Sequence, residues 1–92
     1  MLKLVYTTQF KRDYKLAVKR KSDIDELFYI IDMLQRRQPL PEEKKDHQLL
    51  GKYKGYRECH ITADFLLIYG IKANELELIL YRTGSHSDLF KK

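Results

Sequence analysis

Three histidines, His47, His60 and His86, lie in the second half of the chain, outside its two amphipathic helical segments. An unperturbed imidazole titrates near ~6.5, so it can give or take a proton close to neutrality. Asp64 follows His60 by four residues at a predicted turn, where it can start the turn or orient an imidazole. These are the residue types that acid–base catalysis needs, although each alone also suits a surface or hydrogen-bonded structural position. Arg57 and Arg82 fall near strand ends; a guanidinium there can grip phosphate through paired donors or pair with Glu58 or Glu77. Lys44, Lys45, Lys52 and Lys54 surround Tyr53 and Tyr56. Such a loop offers charge to a single-stranded RNA backbone and rings to its bases, or is an ordinary solvated loop with its tyrosines tucked inward.

Other chemistries fit less well. Three histidines and an aspartate could ligate a divalent ion, but they are scattered over loops and strands with no H-x-x-x-H on a helix, so no metal is expected. Cys59 falls on the predicted core side, where a thiol is inert. No Walker loop, G-x-G-x-x-G or G-x-S-x-G is present, and no cofactor is expected.

The elements that must position these groups follow from hydrophobic period. Lys3 to Tyr6 reads as a short opening strand, and Thr7 or Thr8 can cap the helix after it. Phe10, Tyr14, Ala17 and Val18 form one helical stripe, with Lys11, Lys15 and Lys19 on a different, solvated face. Ser22 or Asp23 caps a second helix, Asp23-x-x-Glu26 resembles a capping box, and Ile24, Leu27, Phe28, Ile31 and Leu34 are its stripe. Pro39 should stop that helix near Gln38. Tyr56 to Ile61 alternates, with Arg57, Cys59 and Ile61 on one side and Tyr56, Glu58 and His60 on the other. Phe65 to Ile71 is an apolar central strand, Lys72 to Glu75 a turn with Asn74 suited to a left-handed dihedral, and Leu76, Leu78 and Leu80 should face the helices. The expected architecture is α+β, in the order β-α-α-β-β-β. It is an antiparallel sheet with a helical hairpin on one face and the other face open to function.

Composition sets the bounds. Ninety-two residues make one domain, residues 1–92, and 43% apolar residues suffice for one core. The net charge of +5 favours polyanion partners through steering and counterion release, though many soluble domains are basic. The longest apolar run is too short to span a bilayer, and the opening residues lack a signal-peptide stretch, so neither a membrane nor export is expected. A lone cysteine fits a reducing cytoplasm.

Motifs in order then become specific. Lys45-Asp46-His47-x-Leu49-x-Gly51, Gly55-Tyr56-Arg57-Glu58-Cys59-His60, Asp64-Phe65-Leu66-Leu67-Ile68-Tyr69 and Arg82-Thr83-Gly84-Ser85-His86-Ser87-Asp88-Leu89-Phe90 together resemble the YafQ-type toxins of the RelE/ParE superfamily. The resemblance is dense from Leu40 to Phe90 and looser over the helices. It implies the toxin of a type II toxin–antitoxin system, a ribosome-dependent messenger-RNA endonuclease that inhibits translation by cutting in the decoding site without a metal. The family's functional positions fall on His47, His60, Asp64, His86 and Phe90, with Arg82 as a phosphate contact. Arg57, Lys52 and Lys54 join them as substrate-binding candidates. Phe65 stands where some members have tryptophan, keeping a ring for stacking but losing the indole donor. The implied roles are His86 as acid, His60 with Asp64 and His47 on the base and orienting side, Arg82 at the phosphorane and Phe90 against a base. The implied partner is an acidic, DinJ-like antitoxin with a ribbon-helix-helix part, through which alone the toxin would meet operator DNA. Rival readings are a ParE-like toxin directed at gyrase, a non-enzymatic RNA- or ribosome-binding protein, and an inactive toxin that still binds its antitoxin.

Overall fold

Both long helices start where a side chain can accept the first free backbone donors. In the computed structural model, which describes residues 1–90, Thr7 Oγ1 accepts from Phe10 N at 2.9 Å and opens α1, Thr8–Lys19. Asp23 Oδ1 accepts from Glu26 N at 3.0 Å and opens α2, Ile24–Gln35. The return half of the expected capping box does not appear, because Glu26 pairs with Lys44 Nζ at 2.7 Å instead. α2 also ends three residues before Gln38. Arg37 turns left-handed, and Gln38 N reaches Met33 O while Arg37 N reaches Leu34 O, which closes the helix before Pro39 acts. α1 ends the same way through Lys21, again without glycine.

Five strands form one sheet in the order β1-β5-β4-β3-β2: β1 Lys3–Tyr6, β2 His47–Gln48, β3 Arg57–Thr62, β4 Phe65–Lys72 and β5 Glu77–Gly84. The sheet is mixed, not wholly antiparallel, since β1 lies parallel to β5. Parallel neighbours need a crossover, and everything from α1 to β4 supplies it. The two-residue β2 was not evident from its sequence; it adds His47 opposite Glu58.

Beyond Tyr6 the edge of β5 would be bare, and α1 seals it. Thr7 N donates to Leu80 O, Thr7 Oγ1 donates to Tyr81 O at 2.7 Å, and Asp13 accepts from Thr83 N at 3.1 Å. Two side chains and one amide thus continue the ladder that β1 begins.

The pleat sorts the core. Cys59, Ile61, Phe65, Leu67, Tyr69, Leu78 and Leu80 face Leu27, Ile30 and Leu34 of the hairpin. Each such buried aliphatic side chain contributes about 1.5–3 kcal/mol. Leu76 departs from expectation: it is 61% exposed and is itself the left-handed residue, the role expected of Asn74. It caps the Ala73–Glu75 turn, so β5 starts one residue later. The far sheet face is not left open either. Tyr53, from the Gly51–Tyr53 turn, and Leu89, from the terminal helix α3, His86–Phe90, cover Leu66 and Ile68 as a second small core. The expected order β-α-α-β-β-β has no helix after the last strand; α3 brings His86 to the far face.

Candidate active site

The centre of the site is a residue that sequence reasoning had offered only as an ion-pair partner. Glu58 lies on β3 two residues before His60, so their side chains share the far face, and its register partner on β2 is His47. Glu58 is 4% exposed, and its Oε2 is buried with no hydrogen-bond partner. Oε1 lies 3.6 Å from His47 Nε2 and 3.8 Å from His60 Nε2. A buried carboxylate oxygen without a protein donor is costly, and a catalytic role is one reason such a group is kept.

The second half of the site comes from the β3–β4 turn and α3. Asp64 Oδ1 accepts from His86 N at 2.9 Å and faces His86 Nδ1 at 2.7 Å. A carboxylate there fixes the proton on Nδ1 and leaves Nε2 to face a substrate. Asp64 therefore orients His86, not His60 as the sequence-based reading had it. The rings of His60 and His86 meet edge to face, 5.6 Å apart. His47 Nδ1 lies 2.6 Å from the Lys45 carbonyl and must donate there, which turns its Nε2 toward Glu58. All four expected residues thus gather in one chain of contacts, His47–Glu58–His60–His86–Asp64.

Electrostatics divides their roles. Burial lowers the pKa of His60 below its ordinary value, opposed by Glu58 and reinforced by His86, Lys45 and His47. Asp64 is held below the usual carboxylate range, first by the His86 backbone N–H and then by its ring. Burial pushes the Cys59 thiol up to about 12, which removes it as a nucleophile.

The other candidates scatter. Arg57 points to the helix side of β3, where its Nε donates to Asp46 at 3.1 Å beside the Tyr69 hydroxyl, away from the histidines. Arg82 gives Nε and Nη2 to Asp13, at 3.0 and 2.9 Å, and has Tyr53 beside it, so its charge is largely answered. Phe65 is buried in the hairpin core and has no ring to offer a base, because residues 65, 67 and 69 share the inward phase of β4. Phe90 is 37% exposed, edge-on to Tyr53 at 5.6 Å; Lys52 sits 5.1 Å over the Tyr53 ring, and Lys54 is exposed. A cavity of about 630 Å³ lies between α1 and the β5–α3 junction, with Asp64 and Arg82 in its wall. No histidine lines it, and the titratable cluster is the better guide to chemistry. Among the described residues no group of three or more His, Cys, Asp or Glu is placed to hold a metal ion. None of the described helices is long and apolar enough to cross a membrane.

Glu58 was findable from period two: a carboxylate two residues before a histidine on a strand shares its face. Asp13, which holds Arg82 from 69 positions away, had no local signal.

Known proteins place this geometry. The "mRNA interferase toxin YafQ" of Escherichia coli K12 is 43% identical over 86 residues, covering 92% of this chain and 91% of the relative. A metal-bound toxin from Helicobacter pylori superposes with a TM-score of 0.91 at 43% identity, covering 98% of this chain and 100% of that one. The toxin of the E. coli DinJ–YafQ toxin–antitoxin complex superposes at 0.86 with 40% identity, covering 97% of each chain. The family model described as "Bacterial toxin of type II toxin-antitoxin system, YafQ" matches residues 2–91, and over that span this chain belongs to the YafQ toxin family.

Proposed function

We propose that the chain is an mRNA interferase, an endoribonuclease that arrests translation by cutting messenger RNA in the ribosomal decoding site. The observation that carries the reading is His86, its Nδ1 fixed by Asp64 at 2.7 Å and its ring set against His60. RNA cleavage by its own 2′-hydroxyl needs a base for that proton and an acid for the leaving 5′-oxygen. His60, kept neutral by burial, and Glu58 form the base side. His47, tied to the Lys45 carbonyl, braces Glu58 from the other flank. The 2′-oxygen attacks phosphorus as its proton passes to this side, and the 5′-oxygen departs with a proton from His86. The products are a 2′,3′-cyclic phosphate and a 5′-hydroxyl. Lys52 and Lys54 supply charge to the phosphates, Arg82 adds a share reduced by Asp13, and Phe90 meets a base.

The E. coli YafQ relative is held by DinJ. By that likeness this chain pairs with an acidic ribbon-helix-helix antitoxin and reaches operator DNA only as that complex, in the cytoplasm. The test is induction in a bacterial cell with mapping of transcript 5′ ends. In-frame cuts that vanish in His86→Gln, while the variant still captures antitoxin, support the reading. Intact transcripts with wild-type protein overturn it. Toxin stripped with EDTA and desalted before it meets magnesium-supported ribosomes should cleave as well as untreated protein; a loss restored by added metal would bring in a resident ion, and one similar H. pylori toxin is metal-bound.

A further inference from the structure

From Phe90, four residues beyond His86, a file of aromatic rings runs across the far sheet face. The buried Tyr53 donates its hydroxyl to Leu89 O at 2.9 Å and serves as a wedge, edge-on to Phe90 at 5.6 Å and to Tyr81 at 6.0 Å. Tyr81 in turn stacks on Tyr56, 4.4 Å between centroids and 10° from parallel. Two local features build this pair. Alternation after the core-facing Leu78 and Leu80 puts the Tyr81 ring on the far face, and a register shift between Ile68 and Tyr69 leaves Tyr81 an extra residue in β5. Opposite, Gly70 makes room for Tyr56: a Cβ there would lie 3.0 Å from its ring. Tyr56 and Tyr81 are half-buried; Lys52, whose Nζ lies 5.1 Å over the Tyr53 ring, and Lys54 are exposed.

We infer that the Tyr56–Tyr81 pair is a second base-stacking station, taking a nucleotide of the same RNA strand beyond those held at the cut. The inference rests on the ribonuclease reading and extends its footprint. A parallel tyrosine pair on a sheet, joined ring to ring with the site through Tyr53, over which Lys52 sits, has the composition of single-strand platforms: rings for bases, charge for the backbone, no sequence readout.

The test uses the whole protein and 2′-O-methyl oligoribonucleotides, which lack the attacking hydroxyl, in fluorescence anisotropy. A trinucleotide covers the cut alone; an octanucleotide can reach the pair. Tyr81→Val, a strand-compatible change, should weaken the octanucleotide about five- to tenfold and spare the trinucleotide, while Tyr81→Phe binds like wild type. If Tyr81→Val proves unfolded by circular dichroism, Tyr56→Leu removes the other ring and carries the same expectation. Equal loss on both lengths, or none, overturns the station and leaves the nuclease reading standing. Loss of antitoxin capture with RNA affinity intact assigns the face to the antitoxin and also overturns it. A wild-type protein that binds neither oligonucleotide overturns the station, whereas the nuclease reading stands or falls on the transcript mapping.

Discussion

Glu58→Gln should make the protein less active and no less stable, a pairing that few substitutions produce. The carboxylate is 4% exposed with Oε2 buried and unpartnered, and Oε1 stands 3.6 and 3.8 Å from two imidazoles, too far for a good hydrogen bond. A buried polar atom left unsatisfied costs about 1–3 kcal/mol, so the folded state gains little from this side chain. Glutamine keeps the volume and exchanges the charge for an amide, and stability should hold or rise by up to about 1 kcal/mol. Activity goes the other way. Removing a group from the base side costs roughly 10²–10⁴-fold in the chemical step. Single-turnover cleavage on programmed ribosomes measures the second effect and urea unfolding the first. Glu58 also raises the pKa of His60, so the variant's His60 should titrate lower still by NMR. Undiminished cleavage would remove Glu58 from the mechanism. A stability loss beyond about 1 kcal/mol would recast it as a structural residue.

Asp64→Ala should lower kcat about a hundredfold or more with KM little changed, because His86 loses the acceptor that fixes its tautomer; a change confined to KM would refute this. The acidic limb of the pH–rate profile should lie below pH 6.5, since burial depresses His60 and the base stays neutral further into acid; a limb at or above 6.5 would contradict the assignment. The same shift has a sign for stability. Below 6.5 the unfolded chain binds the His60 proton first, so this contribution is full above that pH and falls as pH drops to the folded pKa, which a urea titration over that window would follow. Lys21→Gly should stabilise the fold by about 0.5–1 kcal/mol, because Lys21 holds φ 58 at the close of α1; destabilisation in thermal melts would deny the strain.

What local chemistry governs was legible in the chain. The caps at Thr7 and Asp23, the helical stripes and the alternation of β3 follow from neighbours within a few residues, and they put His60 on the correct face. The partnership of Asp64 with His86, 22 positions on, depends on α3 folding back over the sheet, which no short pattern encodes. The mixed sheet was hidden for the same reason: nothing near Lys3–Tyr6 announces that its partner is β5. Phe65 went astray through a different cause. The resemblance marked it as a stacking aromatic, whereas the pleat, which runs 65, 67, 69 toward the hairpin, had already committed it to the core.

The sealing of β5 by Thr7 and Asp13 bears on how the chain behaves when crowded. The two eight-residue strands, β4 and β5, are the stretches most able to template a foreign strand, yet both lie inside the sheet. The rims are β1, with four residues, and β2, with two. Where β5 outruns β1, a threonine hydroxyl and an aspartate occupy the backbone groups that a stray chain would seek. A sheet with rims so short resists edgewise polymerisation, and concentrated protein should stay dispersed even while apolar side chains such as Phe28 remain on its surface.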